Sequence, residues 1–197
     1  MKKSNYQWFY QENFLDENLF HLMLSKENQC VDLSLLIEKD GSVSYDTDGV
    51  IKNRYSDNTI IKKNLPNPTV SVITILENKL KNIGLKNPVL YNLYTLINPV
   101  PKKGTKSYGW HKDFNLIEHI NDPLKLWFTM LSLTEKEVNS EFMISPTKDG
   151  PTLWNIGIQT TVDKNKLFGH NMNLGHDYIA KDKNELGFLY IRWFDAD

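Results

Sequence analysis

The sequence predicts an α+β protein that is mostly β, a jelly roll (double-stranded β-helix) buttressed by N-terminal helices. Two helical segments come first, at residues 13–24 and 70–83, where apolar residues recur at helical spacing. From Pro88 onward the pattern changes to short apolar stretches that continue to the C-terminus. No linker or repeat divides the 197 residues, which favours a single domain. Within this single domain, we expect residues 1–87 to provide helical support and a substrate lid, and residues 88–197 to form the jelly-roll core.

Between the two helices, short strands are expected at residues 31–37 and 43–45, joined by an Asp-Gly turn. Residues 46–64 are polar and have no clear period, so the sequence predicts a loop or lid there. Gly84 follows the second helix at the position where a helix commonly ends in a left-handed residue. The later strands are predicted at residues 89–97, 108–113, 126–133, 141–144, 153–162, 167–170 and 186–194.

Composition excludes several classes of protein. Hydrophobic residues make up 40% and charged residues 24% of the chain, as in ordinary globular domains, and the net charge of −1 gives no sign of a polyanionic partner. The lone Cys30 excludes an internal disulfide and a cysteine-based zinc site. We see no signal peptide and no stretch long enough to span a membrane, so the sequence predicts a cytoplasmic protein with no membrane partner.

The stretch from Gly104 to Asp113 holds the only H-x-D pattern in the chain, His111 and Asp113. On a β-strand, side chains two residues apart project from the same face, so this imidazole and this carboxylate would point together. They make up two thirds of a 2-His-1-carboxylate site, which binds Fe(II) on one face and leaves the other face open. The same pattern also occurs as a surface histidine beside a solvated aspartate.

A third ligand has to come from a histidine further along the chain. His119 lies only six residues beyond Asp113, too close to return on another strand. His170 and His176 both precede the last strand and are both candidates. His176 stands 16 residues before Arg192, and we predict it as the third ligand with His170 in reserve.

Arg192 is the second notable feature, because only two of the 23 basic residues are arginines and this one lies within an apolar strand. A buried guanidinium needs an anionic partner or a route to water. Either it pairs with Asp195, Asp197 or another carboxylate, or it receives the carboxylate of a dicarboxylic acid through its planar fork of donors.

Taken together, Asn92-Leu-Tyr94, the Gly104–Asp113 stretch, His176 and Arg192 resemble the AlkB-like branch of the Fe(II)/2-oxoglutarate dioxygenases. The resemblance implies Fe(II) as cofactor and 2-oxoglutarate as co-substrate. It implies that His111, Asp113 and His176 bind the metal ion, and that Arg192, with Asn92 and Tyr94, binds 2-oxoglutarate. The expected activity is hydroxylation of a C–H bond with release of succinate and CO2, and AlkB-like oxidative demethylation is one form of this reaction.

The chain departs from the AlkB-like pattern, since Leu186 stands where the first of two arginines is usual. The sequence is therefore compatible with a small-molecule, a peptidic or an alkylated nucleic-acid substrate, and it does not indicate the oligomeric state. Two other classes also stay open at this point. One is a non-catalytic, cupin-like jelly roll that binds a metal or ligand, and the other is a nucleic-acid-binding module without turnover.

Overall fold

The computed structural model describes residues 2–3, 8–28, 33–37, 39, 42–47, 50–98, 111–112, 125–135, 140–144, 158–180 and 186–197. Within these residues the chain forms thirteen strands and three α-helices. The helices are α1 (Glu17–Leu24), α2 (Thr59–Lys62) and α3 (Asn67–Asn82), with a 3-10 turn at Lys26–Asn28. The strands before residue 88 are β1 (Lys2–Lys3), β2 (Trp8–Gln11), β3 (Leu33–Ser34), β4 (Leu36–Ile37), β5 (Val43–Thr47) and β6 (Val50–Tyr55). The later strands are β7 (Pro88–Asn98), β8 (Leu126–Ser132), β9 (Ser140–Ile144), β10 (Ile158–Thr161), β11 (Leu167–Asn171), β12 (His176–Ala180) and β13 (Leu186–Asp195).

The strands after residue 88 alternate between two antiparallel sheets. The large sheet has the order β1-β2-β11-β8-β13-β7-β3, and a small sheet has the order β10-β9-β12. His111 extends the small sheet, because it forms an antiparallel bridge with His176 at the start of β12. Chain segments therefore pass back and forth between two facing sheets, as in a double-stranded β-helix. This topology confirms the predicted mostly-β jelly-roll fold.

Strand β13 lies in the interior of the large sheet, between β8 and β7, and is buried on both faces. Phe188, Tyr190 and Arg192 share one face. The ring of Phe128 on the neighbouring strand β8 packs against Tyr190 and lies 6.3 Å from that of His176, so this face meets the small sheet. Alternate residues, including Ile191 and Trp193, face the opposite way and are fully buried. The apolar character of residues 188–194 follows from this double burial, and Arg192, which is half-buried, is the exception among them.

Helix α3 follows from its sequence pattern. Val72, Leu76 and Leu80 are buried along one side, as predicted, and the predicted Gly84 has a φ of +118°. The N–H of Gly84 donates to the carbonyl oxygen of Lys81 (3.0 Å), and that of Leu85 donates to Leu80 (3.2 Å). These two bonds form a Schellman motif, which only a residue with positive φ can complete without strain.

The segment from residue 46 to residue 64 differs from its prediction as a loop. Its sequence has no helical or strand period, yet β6 pairs with β5 in a third, three-stranded sheet, and α2 follows. Buried Asn58 fastens this segment to the jelly roll. Its Oδ1 accepts from the N–H of Leu90 (2.7 Å) and its Nδ2 donates to the carbonyl oxygen of Pro88 (3.0 Å).

Strands β2 and β12 were not predicted from the sequence. Strand β2 pairs with β11, with Phe9 directly opposite Gly169, and so adds the N-terminal region to the large sheet. Asn165, which precedes β11, anchors the segment that follows β2 through Leu15. Its side chain accepts from the N–H of Leu15 (3.0 Å) and donates to the carbonyl oxygen of Leu15 (2.8 Å).

A search of the described residues finds no helix that is both long enough and apolar enough to cross a membrane.

Candidate metal and co-substrate site

The small sheet brings His111 and His176 together. Each residue donates its backbone N–H to the carbonyl oxygen of the other, at 3.0 and 2.9 Å. Their ring centroids lie 4.3 Å apart with the planes tilted by 55°. His111 is exposed and His176 is buried, so the pair extends from the surface into the space between the sheets.

The imidazole of His176 is held in its neutral form. Its Nδ1 lies 3.3 Å from the carbonyl oxygen of Leu174, which can only accept, so Nδ1 carries the proton and Nε2 keeps its lone pair. Burial lowers the pKa of His176 well below its usual range, and the neighbouring His170, His111 and Arg192 lower it further. A neutral imidazole whose second nitrogen is fixed by a backbone carbonyl is the form in which histidine binds metal ions.

The predicted carboxylate ligand, Asp113, lies outside the described residues, one position beyond Lys112. Among the residues that the structure does describe, no group of three His, Cys, Asp or Glu side chains is arranged to bind a metal ion. The two described members of the predicted set nevertheless fit Fe(II), which accepts imidazole nitrogen. Their rings are adjacent, and the pKa of His176 lies well below its usual range, which favours the neutral form that binds metal ions.

His170, the reserve ligand, lies on the facing large sheet. It is fully buried in β11, and its ring centroid is 4.5 Å from that of His176. Its Nδ1 donates to the carbonyl oxygen of Asn171 at 2.9 Å. Both candidate histidines therefore reach the same region, but the pairing partner of His111 is His176.

The three residues predicted to bind 2-oxoglutarate lie next to one another on the large sheet. Arg192 of β13 is directly opposite Asn92 of β7, and Tyr190 is directly opposite Tyr94. The rings of Tyr94 and Tyr190 stack at 4.9 Å with their planes 17° apart. Register places all four side chains on the face that meets the small sheet.

Asn92 and Arg192 differ in their described contacts. The side-chain Nδ2 of Asn92 donates to the carbonyl oxygen of Leu33 (3.4 Å), and its buried Oδ1 has no hydrogen-bond partner among the described residues. The charge of Arg192 reaches His176, since it contributes to lowering the pKa of that histidine. Arg192 is directly opposite Phe128 of β8, whose ring lies 6.3 Å from that of His176, so the row that holds Arg192 and Asn92 lies on the face toward His176.

The carboxylates that were alternative partners for Arg192 have other contacts. The side chain of Asp195 accepts from the backbone N–H groups of Lys86 (3.1 Å) and Asn87 (2.6 Å). The side chain of Asp197 forms an ion pair with Lys86. Both hold the C-terminal segment against the connection between helix α3 and strand β7.

Two aromatic residues that the sequence did not single out complete the region. The ring of Phe128 lies 5.2 Å from that of His170 and 6.3 Å from that of His176, and Phe142 lies 6.0 Å from each. Their strands were predicted, and inward-facing positions follow from alternation. Their proximity to the histidines depends on how the two sheets face each other, which a single sequence does not indicate.

No protein-family model matches this sequence, and no curated protein matches it. Solved structures do show similarity in fold. The 2OG-Fe(II) family oxidoreductase from Burkholderia pseudomallei matches with a TM-score of 0.57 and 10% identity, over 97% of this chain and 86% of that one. The alpha-ketoglutarate-dependent carbocyclase SnoK from nogalamycin biosynthesis matches with a TM-score of 0.58 and 15% identity, over 98% and 81%.

A third similar structure is that of the epimerase SnoN in complex with Fe3+, alpha ketoglutarate and a nogalamycin compound. It has a TM-score of 0.56 and 11% identity, and the match covers 96% of this chain and 79% of that one. Over nearly its full length, the chain therefore has the fold of the Fe(II)/2-oxoglutarate oxygenases. These similarities do not single out the AlkB-like branch.

Proposed function

We propose that the protein is an Fe(II)- and 2-oxoglutarate-dependent dioxygenase that hydroxylates a C–H bond. The observation that supports this most directly is the placement of two residue sets on facing sheets. The adjacent His111 and His176 lie on the small sheet, and the Arg192–Asn92 row lies opposite them. The similarity in fold to Fe(II)/2-oxoglutarate oxygenases supports the same proposal independently.

In this proposal the metal ligands are His111, His176 and Asp113. When bound, Fe(II) with 2-oxoglutarate supplies the oxidation, with succinate and CO2 as the products of the co-substrate. The protein's part is to bind and orient. The guanidinium of Arg192 receives a carboxylate of 2-oxoglutarate, and the hydroxyl of Tyr94 donates to it. The rings of Phe128 and Phe142 exclude water beside the histidines.

The test of the proposed activity is succinate formation by the purified protein supplied with Fe(II), 2-oxoglutarate and oxygen. We expect slow succinate release even without a primary substrate, because the co-substrate can turn over uncoupled. His111→Ala and Asp113→Ala should abolish both stoichiometric iron binding and succinate release. His21→Ala is the matched control, since His21 is an exposed histidine on helix α1.

The outcomes separate the proposal from its alternatives. Iron binding without any succinate would favour a non-catalytic, metal-binding jelly roll. Stoichiometric iron in both His111→Ala and Asp113→Ala would disprove the ligand assignment, whatever the activity.

We further propose two substrate classes, which one titration distinguishes. AlkB-like demethylation requires a methylated base that is turned out of its stack, whereas a small or peptidic substrate requires no phosphate contacts. Methylated single-stranded DNA should be titrated at two salt concentrations. Micromolar affinity that weakens steeply with salt would support the nucleic-acid substrate. No binding at low salt would exclude it and favour the small or peptidic one.

A further inference from the structure

Strand β13 pairs irregularly at Arg192, the residue proposed to bind the co-substrate. On the β7 side, Arg192 is directly opposite Asn92. The next residue, Trp193, is opposite Leu90, so that Tyr91 is an extra residue on β7. On the β8 side the register continues past the same point without a shift. Because a β-bulge bends the chain and changes the direction of nearby side chains, the direction of Arg192 depends on how its two neighbours in β13 are held.

Thr129 of β8 bonds to both of these neighbours. Its Oγ1 accepts from the indole Nε1 of Trp193 at 2.8 Å. The same hydroxyl donates to the carbonyl oxygen of Ile191, at the longer distance of 3.4 Å. Thr129 is directly opposite Ile191 in the ladder, so its side chain lies on the face of the sheet away from Arg192. One hydroxyl therefore connects β8 to the residue before Arg192 and to the residue after it.

These contacts lie in the protein interior. Thr129 is 1% exposed, and Ile191 and Trp193 are fully buried. A buried donor that loses its acceptor is costly, because solvent water does not replace the lost partner. The hydrogen bond between Trp193 and Thr129 is therefore expected to stay intact in the folded protein and to fix this part of β13 relative to β8.

We infer that Thr129 is a positioning residue, which holds β13 on both sides of Arg192 so that the guanidinium points toward the co-substrate. The inference rests on the proposed function, because it takes Arg192 as the group that binds 2-oxoglutarate. Thr129 lies on the other face of the sheet from that site, so it acts only through the strand. The alternative is that Thr129 serves only as the acceptor for the buried indole of Trp193.

The first test needs neither metal nor co-substrate. The chain has only two arginines, so Arg54→Lys identifies the Nε–H signal of Arg192 in protein labelled with 15N at arginine. The Nε of Arg192 is buried, and its hydrogen should exchange slowly with water. Thr129→Val keeps the shape of the side chain but removes the hydroxyl. Exchange should then be about 2–10-fold faster, the factor that corresponds to one hydrogen bond. Thr129→Ser keeps the hydroxyl and should keep the slow exchange.

The second test measures 2-oxoglutarate binding to the Fe(II)-loaded protein by calorimetry without oxygen. Thr129→Val should weaken binding by about 2–10-fold and leave iron binding unchanged, and Thr129→Ser should bind like the parent. Trp193→Phe removes the same hydrogen bond from the other side and should have a similar effect, so it decides the question if Thr129→Val does not fold. Thr69→Val is the matched control, because it removes a buried hydroxyl on helix α3. Circular dichroism checks that each variant is folded.

Several outcomes would overturn the inference. Unchanged exchange at Arg192 in folded Thr129→Val would make Thr129 only an acceptor for the Trp193 indole, and so would faster exchange with unchanged 2-oxoglutarate binding. Equal effects of Thr129→Ser and Thr129→Val would show that the hydroxyl is not the cause. If the parent binds Fe(II) but no 2-oxoglutarate, the proposed function fails, while the exchange measurement still decides whether Thr129 holds Arg192.

Discussion

At the scale of single residues, Arg192 brings a positive charge into the same region in which His176 is kept neutral. Arg192 is a cation in an otherwise apolar strand, and the row that holds it faces a histidine that is already neutral. Two neighbouring positive charges would repel each other at this depth. An anion bound by Arg192 would compensate its charge, which agrees with a carboxylate-bearing co-substrate.

This arrangement gives a prediction for Arg192→Lys. Lysine keeps the charge but loses the planar pair of donors that matches a carboxylate. We expect the concentration of 2-oxoglutarate needed for half-maximal succinate formation to rise about 10-fold or more, with iron binding unchanged. Parallel titrations of 2-oxoglutarate with the parent and the variant measure this. Identical saturation would assign Arg192 to a structural ion pair.

The pKa of His176 gives a second prediction at this scale. In the unfolded chain its imidazole titrates near 6.5, whereas in the folded protein its pKa is well below that value. Below pH 6.5 the unfolded state therefore takes up a proton that the native state does not, and stability falls as the pH falls, by at most about 1.4 kcal/mol per pH unit.

Measurements of unfolding free energy in urea between pH 7 and pH 5 would check this. Asp57 and Asp197 have pKa values lowered from 3.8, so their contributions are lost only at more acidic pH. His176→Gln cannot titrate and should show a shallower loss over this range. Parallel curves for the parent and this variant would contradict the prediction.

At the scale of secondary-structure elements, strand β2 depends on one glycine of its neighbour. A Cβ atom on Gly169 would lie 2.3 Å from the Cζ atom of Phe9. The Phe9 ring is buried and stacks against Trp127 at 6.2 Å, so it has little room to move. The space above Gly169 is therefore occupied by the aromatic side chain that fixes the N-terminal strand.

Gly169→Ala should therefore destabilise the protein by about 1–3 kcal/mol, the usual cost of overfilling a packed core. Urea unfolding of the single variants and of a Gly169→Ala/Phe9→Leu double variant measures the effect and its cause. In the Phe9→Leu background the same glycine change should cost less, since the ring end is gone. Equal costs in both backgrounds would show that the contact with Phe9 is not responsible.

The elements that the sequence predicted are those with a strong local pattern. Helix α3 has an apolar stripe and a terminal glycine, and β13 is a largely apolar stretch of ten residues. Strand β12 had no such signal, because its first two residues, His176 and Asp177, are polar and yet buried. Residues 50–55, which show no clear period, form β6 by pairing with β5, and such pairing leaves little trace in a single sequence.

The residues of the candidate site likewise divide into those that a local pattern predicts and those that depend on long-range contacts. The H-x-D spacing and the rarity of arginine predict the proposed chemistry and two of the residues proposed for it, His111 and Arg192. The choice between His170 and His176 depends on which strand pairs with His111, a contact between residues 65 positions apart in the sequence. The position of His170 beside His176 likewise follows only when the two sheets face each other.

At the scale of the whole molecule, hydrogen bonds join residues before position 88 to residues after it. Strand β2 pairs with β11, and β3 pairs with β7, so both outer parts of the large sheet come from the N-terminal segment. Asn58 bonds to Leu90, and Asn165 bonds to Leu15. Removal of residues 1–87 would leave these groups and the outer face of the large sheet exposed to water.

We therefore expect the chain to unfold as one cooperative unit, and a fragment of residues 88–197 to lack stable tertiary structure. In urea, far-ultraviolet circular dichroism and tryptophan fluorescence should give coincident transitions for the full chain, as two-state unfolding requires. Amide NMR signals of the fragment should be poorly dispersed, because its large sheet would have lost β2, β3 and their hydrogen bonds. A fragment that unfolds cooperatively, or two separated transitions in the full chain, would show instead that the jelly-roll core is an independent domain.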